Sequence, residues 1–399
     1  MGSMAFEQTD DPALMTLVDQ LCRIRSFWRP EEPGCDESAV AGFIAEHLRR
    51  FPWLTVRIEA VAPGRLNVVA FDGPEADTRL LIAGHIDTVL PVQNWTVPEH
   101  TVRDGRYHAL GAADAKGAIA AALDAIGRVG PTQGVGYLLY CDEEYHFDGM
   151  KDFVARHPAV RPEHTLSLCG ASAALMLGCR GLIELEFTLT GHPGHASRPY
   201  TGRSATHACT RVLAALSRWC RAHSTPNRTV INVAAIHAGS LAPEARIGTG
   251  GPPAVLATPN RIPDVAWVLI ELRVGDPRVT AETLTAAIAA EIAAVNEGEE
   301  KHIKLADVQV HLDMPGYTSA EDLTEPLITP FAAVHCGRIA PVEETGYLDV
   351  ALLCVRDRSA ALCMGPDKGG AHGPDEWVDV ESLIAYRDGL VSLIGQHST

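Results

Sequence analysis

The sequence predicts a mixed α/β protein with a smaller α+β unit inserted into it. Three patterns carry that expectation: helix and strand periodicities alternate through the first half, a strand–helix–strand–strand–helix–strand order fills the middle, and apolar strands with a closing helix return after residue 314. The chain has 399 residues, 46% of them hydrophobic and 21% charged. That composition excludes intrinsic disorder and leaves room for two domains with sizeable cores.

Asp10-Asp11-Pro12 caps and enters the first helix, where Leu14, Leu17, Leu21 and Ile24 recur at helical spacing. A second helix is expected from about Asp36-Glu37-Ser38 to Arg50. β-rich runs follow at 55–60, 66–72 and 79–84, then an alanine-rich helix at 116–129 and an apolar strand at 135–141. Such alternation implies a mixed sheet with helices on both faces. From Gly181 come a strand (182–190), a helix (203–220), strands at about 229–237 and 265–273, a helix (280–295) and a strand (306–312). This is the split-βαβ, or ferredoxin-like, order. The Gly/Pro-rich stretch 239–263 reads as a functional or mobile loop. With the last helix at 381–395, the expected domains are 5–180 together with 315–399, and the insert 181–314.

The formal net charge is −17, and an acidic surface repels a phosphate backbone, so no nucleic acid partner is expected. No apolar run reaches the roughly 18 residues of a membrane span, and no secretory segment opens the chain; no membrane is expected. The ten cysteines include no C-x-x-C pair and read as reduced, mostly buried thiols, which favours the cytoplasm.

Four segments gather acids and histidines at strand ends, where open α/β sheets place their sites. In Gly84-His85-Ile86-Asp87, residues two apart share a face, so Asp87 can orient the His85 ring as a metal ligand. Gly111-Ala-Ala-Asp114-Ala-Lys-Gly117 leads into a helix. Cys141-Asp142-Glu143-Glu144 closes a strand with three mutually repelling carboxylates, an arrangement that a cation offsets. Gly369-Gly-Ala-His372-Gly-Pro-Asp-Glu376 flanks a histidine with glycines. Taken singly, these also fit a hydrogen-bonded surface pair, a helix N-cap at Asp114 and a solvated acidic loop. Together, His85, Asp114, Glu144 and His372 make the N/O donor mix of a zinc-like ion. A nucleotide-dependent oxidoreductase is disfavoured, because no G-x-G-x-x-G follows the first strand.

Taken together, these motifs resemble the acetylornithine deacetylase/succinyl-diaminopimelate desuccinylase family of metallohydrolases, which includes carboxypeptidases, dipeptidases and aminoacylases. Gly191-His-Pro-Gly-His195-Ala-Ser-Arg-Pro199, and Asn260-Arg-Ile-Pro-Asp264 followed by Arg273, resemble motifs of that family's lid. The resemblance covers nearly the whole chain. It implies a zinc-peptidase-like catalytic domain with a ferredoxin-like lid and dimerisation domain. The implied activity is metal-dependent hydrolysis of an amide in an N-acyl amino acid or small peptide-like conjugate. In this reading Asp114 bridges two metal positions, His85 binds the first, and Glu144 and His372 bind the second. Glu143 is the general base, and Asp87 orients the ligand histidine. His195 reaches across a homodimer to the oxyanion with Asn260 nearby, while Arg180 and Arg273 hold a substrate carboxylate.

The segment Leu166-Ser-Leu-Cys169-Gly-Ala171-Ser172 places Ala171 where the family supplies an acidic ligand to the first position. Cys169, Ser172 and His146 are the stand-ins available. The expectation is therefore one tightly bound Zn2+, Co2+ or Mn2+ per chain, with two ions as the alternative. A catalytically silent homologue that binds a metabolite or a partner is the competing functional class.

Overall fold

The structure is a computed structural model that describes residues 9–170, 172, 174–335 and 337–398. These form two compact units, one of the chain up to Cys179 together with Tyr317 onward, the other of Arg180–Gly316. The first unit begins with α1 (Pro12–Arg23), α2 (Ser38–Leu48), β1 (Thr55–Ala62), β2 (Arg65–Phe71) and β3 (Leu80–His85). It continues with α3 (Gly117–Val129), β4 (Val135–Tyr140), α4 (Asp148–Arg156) and β5 (His164–Ser167). The second unit holds β6 (Gly181–Thr190), α5 (Ala205–Ala222), β7 (Val230–Leu241), β8 (Val265–Val274), α6 (Ala281–Asn296) and β9 (Lys304–Met314). The first then resumes with β10 (Ala360–Cys363) and α7 (Val380–Gly395).

The main sheet of the first unit runs β1-β2-β4-β3-β5-β10. β2 is antiparallel to β1 and β4, whereas β4, β3, β5 and β10 are parallel. Alternate side chains of a strand face opposite ways. Leu80, Ile82, Tyr137 and Leu139 enter a core with α1, α2, α3 and α7; Leu81, Ala83, Leu138 and Tyr140 enter another with Met150 and Phe153 of α4. Burial on both faces is why these strands read as unbroken apolar runs. Each buried leucine contributes about 1.5–3 kcal/mol. The Asp11 carboxylate caps α1 by accepting from the Leu14 N–H at 3.1 Å, with Pro12 opening the helix.

The second unit is an antiparallel sheet in the order β7-β8-β6-β9, with α5 and α6 packed over Ile183, Leu185, Phe187 and Leu189. The stretch expected as loop contributes Val255 and Leu256, which pair with Leu241 and Ser240 at the edge of β7. A further sheet, of Lys368–Gly369, Trp377–Asp379, Arg106–His108 and Thr101–Arg103, has strands too short to show a periodicity. It holds both ends of the 370–376 loop. No helix among the described residues is long and apolar enough to cross a membrane.

Below the end of β4, the buried Arg65 guanidinium bridges the buried carboxylates of Glu37 (3.2 Å) and Asp142 and stacks 4.2 Å over the Trp28 ring. Removing one partner of a buried ion pair leaves the other charge uncompensated, at about 3–5 kcal/mol. Arg65→Ala is therefore expected to lose stability of that size in urea unfolding, whereas an exposed pair such as Arg161–Asp357 is expected to change it by less than about 1 kcal/mol.

Candidate metal centre

The site forms at the C-terminal ends of the parallel strands. His85 is the last residue of β3, almost fully buried, and lies opposite Tyr140, the last residue of β4. Its Nδ1 is 3.2 Å from the Asp87 carbonyl oxygen and its Nε2 is 3.2 Å from Asp114 Oδ1. Asp87, also buried, accepts the N–H of Glu143 at Oδ1 (3.2 Å) and that of Glu144 at Oδ2 (3.1 Å), fixing both glutamates by their backbone. Just before them, Asp142 takes a left-handed φ of 64°, a region aspartate tolerates better than most residues. Its carboxylate turns onto Arg65, away from its two neighbours' task.

Asp114 does not cap α3, whose N-cap position is Lys116 without a side-chain bond. Instead the 368–376 loop holds its segment from both sides. Glu376 Oε1 accepts from the Ala113 and Asp114 N–H groups at 2.9 and 3.2 Å, and Lys368 Nζ donates to the Ala113 carbonyl at 2.6 Å. His372 Nε2 then lies 3.1 Å from Glu144 Oε1 and 3.5 Å from Asp114 Oδ2. Gly370 makes this turn possible. Its φ is +70°, and a Cβ there would meet the Glu376 backbone at 3.1 Å.

Among the described residues two donor sets result, each with its ligand atoms within 4.8 Å of one another: Asp114–Glu144–His372, and His85–Glu143–Glu144. Carboxylates this close repel. Burial, with the Asp349, Asp114 and Asp87 charges, pushes the Glu143 carboxyl well above the ordinary range despite His85. Burial likewise raises Glu144. Asp114 goes the other way: burial would raise it, but Lys368, then His372 and His85, hold it well below the ordinary value. His372 is raised to about 9, chiefly by its hydrogen bond to Asp114. Oxygen and imidazole donors converging under mutual repulsion suit a divalent cation.

In the second unit, the Ala196 N–H donates to the Asn260 carbonyl at 2.9 Å, placing the His195 and Asn260 loops side by side. His195 Nδ1 accepts from the Ser197 N–H at 3.2 Å, which leaves the ring proton on Nε2 of this exposed residue. Arg273 Nε donates to Glu271 at 2.9 Å, and Arg180 Nη1 to the Arg228 carbonyl at 3.2 Å.

The model of peptidase family M20/M25/M40 matches residues 81–396, which span the whole constellation. The chain belongs to this family. Acetylornithine deacetylase of Aliivibrio salmonicida (strain LFI1238) is 27% identical over 357 residues, 86% of this chain and 87% of the relative. Among solved structures, a tripeptidase from Staphylococcus aureus subsp. aureus mu50 superposes with a TM-score of 0.72 at 17% identity, covering 96% of this chain and 97% of that one. The M20 family metallo-carboxypeptidase Sso-CP2 from Sulfolobus solfataricus gives 0.68 at 15% identity, covering 96% and 99%. Membership places this chain's activity among the metal-dependent hydrolases of amide bonds.

In this M20 enzyme the structure gathers His85, Asp87, Asp114, Glu143, Glu144 and His372, while His195, Asn260, Arg180 and Arg273 belong to the second unit. Ala171 lies outside the described residues. Of the three stand-ins for its missing acid, Ser172 Oγ is 3.5 Å from Asp367 and the exposed His146 ring is directed at Asp142. The Cys169 carbonyl accepts from Lys368 Nζ at 3.3 Å. Sequence reasoning passed over Lys368 and Asp349. Lys368 Nζ is 3.6 Å from Asp114 Oδ1; Asp349 is buried beside Tyr140, and burial pushes its carboxyl up to about 6. Glu376 carried a signal, an acid four residues after His372; Lys368 carried none.

Proposed function

We propose that this chain hydrolyses the amide bond of an N-acyl amino acid or a small peptide-like conjugate, with Glu143 as general base. One observation carries the proposal: Glu143 is fixed by its backbone next to a complete Asp114–Glu144–His372 donor set. We assign to that set the one tightly bound ion that the chemistry requires, zinc, cobalt or manganese. When bound, such an ion supplies Lewis acidity towards a carbonyl oxygen and makes water more acidic. Glu143 takes a proton from the attacking water on its carboxylate and later delivers it to the leaving amine. Its raised affinity for protons suits that exchange near neutral pH. Arg180 and Arg273 anchor the substrate's carboxylate. The relative at 27% identity is a deacetylase by name, which supports an acyl amino acid over a long peptide.

His195 donates its Nε2–H to the developing oxyanion of a partner subunit. Apolar side chains of the second unit exposed by 37% (Val233), 53% (Ile236) and 47% (Val310) support a homodimer through it. Losing one oxyanion donor costs about 2.7–4 kcal/mol, so His195→Ala is expected to lower kcat by about 10²–10³ with little change in KM. Mixing His195→Ala with Glu143→Ala protein is expected to restore part of the activity, because a mixed dimer contains one intact site; no recovery would contradict the exchange across subunits.

The function is tested by amine release from a panel of N-acetyl and N-succinyl amino acids and dipeptides, each also as its methyl ester. Turnover of a free acid and not of its ester is expected. Failure of every substrate with metal bound would overturn the proposal in favour of a silent homologue.

A further inference from the structure

We propose that the second unit carries an anion-binding pocket of its own, built for a small dianion with an apolar body, a dicarboxylate or a phosphate monoester. The inference is independent of the hydrolase reading, because none of the residues assigned to catalysis takes part in it.

A cavity of about 700 Å³ opens between the start of α5 and the stretch 256–263 that returns from the edge of β7. Small-molecule sites occupy roughly 300–1,000 Å³, so the space suits a metabolite. Four basic side chains line it: Arg203 just before the helix, His207 and Arg211 four residues apart on it, and Arg261 from the returning stretch. Residues at that spacing share one face of a helix. No carboxylate lines the cavity among the described residues, and much of the remaining wall is apolar, Leu256 and Ile262 included. His195, Asn260, Arg180 and Arg273 do not line it either.

In a chain of net charge −17, such a gathering of one sign is not a matter of composition. Like charges crowded together are unfavourable unless an opposite charge offsets them. Two of the arginines find that charge outside the cavity: Arg203 Nη1 is 2.8 Å from Glu299 Oε1, and Arg261 Nη2 is 3.3 Å from Asp264 Oδ2. The exposed His207 and Arg211 side chains make no hydrogen bond or ion pair among the described residues. The helix terminus itself makes no such demand, since Ser204 Oγ already accepts the His207 N–H at 3.2 Å. One guanidinium is therefore uncompensated, with a second positive charge whenever His207 is protonated, and together these match a dianion. The planar N–H fork of arginine pairs with two oxygens of a carboxylate or a phosphate alike. The apolar wall adds a preference for an organic body over the bare ion.

The test is calorimetric titration of the full-length, metal-loaded protein with phthalate, phenyl phosphate, benzoate and inorganic phosphate. Saturable binding of phthalate or phenyl phosphate is expected, with benzoate and inorganic phosphate weaker; the tighter of the two aromatic dianions distinguishes a dicarboxylate from a phosphate ester. Arg211→Glu is expected to weaken that binding by at least about tenfold. Arg218→Glu makes the same change of charge on an exposed residue of α5 outside the cavity, and is expected to leave the affinity within about twofold, because solvent screens it. Arg273→Ala is expected to bind as the unaltered protein does. No saturable binding of either aromatic dianion would overturn the proposal. So would equal losses in Arg211→Glu and Arg218→Glu, which mark general attraction, or a loss in Arg273→Ala, which places the anion where the substrate's carboxylate is held.

Discussion

Glu143→Ala is expected to lower kcat by about 10²–10⁴ while metal content stays at the level of the unaltered protein. The separation of effects follows from the geometry. Glu143 is placed by its own N–H on Asp87, whereas Asp114, Glu144 and His372 hold together without it. Removing its carboxyl deletes the proton acceptor and also relieves repulsion among crowded acids, so the fold and the ion should tolerate the change. Glu143→Gln keeps the shape without the basicity and should be as inactive as the alanine variant. Metal analysis with kinetics on the best substrate of the panel checks both. An active Glu143→Gln would remove this residue from the proton transfer.

Asp114→Asn is expected to have the broadest effect of any single substitution. One oxygen of Asp114 lies 3.2 Å from His85 Nε2, the other 3.5 Å from His372 Nε2, and Lys368 sits against the first. An amide removes the charge that both imidazoles and any ion share. An ion present at about 100 times its Kd stabilises the folded protein by about 2.7 kcal/mol. The unaltered protein should therefore gain Tm with added zinc, and Asp114→Asn should show little of that gain and only background turnover. Differential scanning calorimetry with and without zinc measures it. A zinc-dependent rise in Tm equal to that of the unaltered protein would show that Asp114 is not a ligand.

Much of this was legible in the chain because the strands are buried on both faces. Unbroken apolar runs marked the strands ending at His85 and before Asp142, and an acid or histidine directly after such a run has only the sheet's end to occupy. The split-βαβ order showed through its six elements, four strands and two helices. What stayed hidden depends on contacts between distant segments. Nothing in Asp142-Glu143-Glu144 says that the first acid turns onto Arg65, 77 positions away, while Asp87 clamps the other two. Lys368 reaches Asp114 only because two-residue and three-residue strands brace the 370–376 loop, and such strands leave no pattern to read.

The most direct measurement compares hydrolysis by chelator-stripped and zinc-reloaded protein while bound metal is counted in the same samples. Turnover is expected to disappear with the ion and to return in proportion to the zinc regained, with the circular dichroism spectrum unchanged throughout. A metal-free sample that keeps its full rate would contradict it.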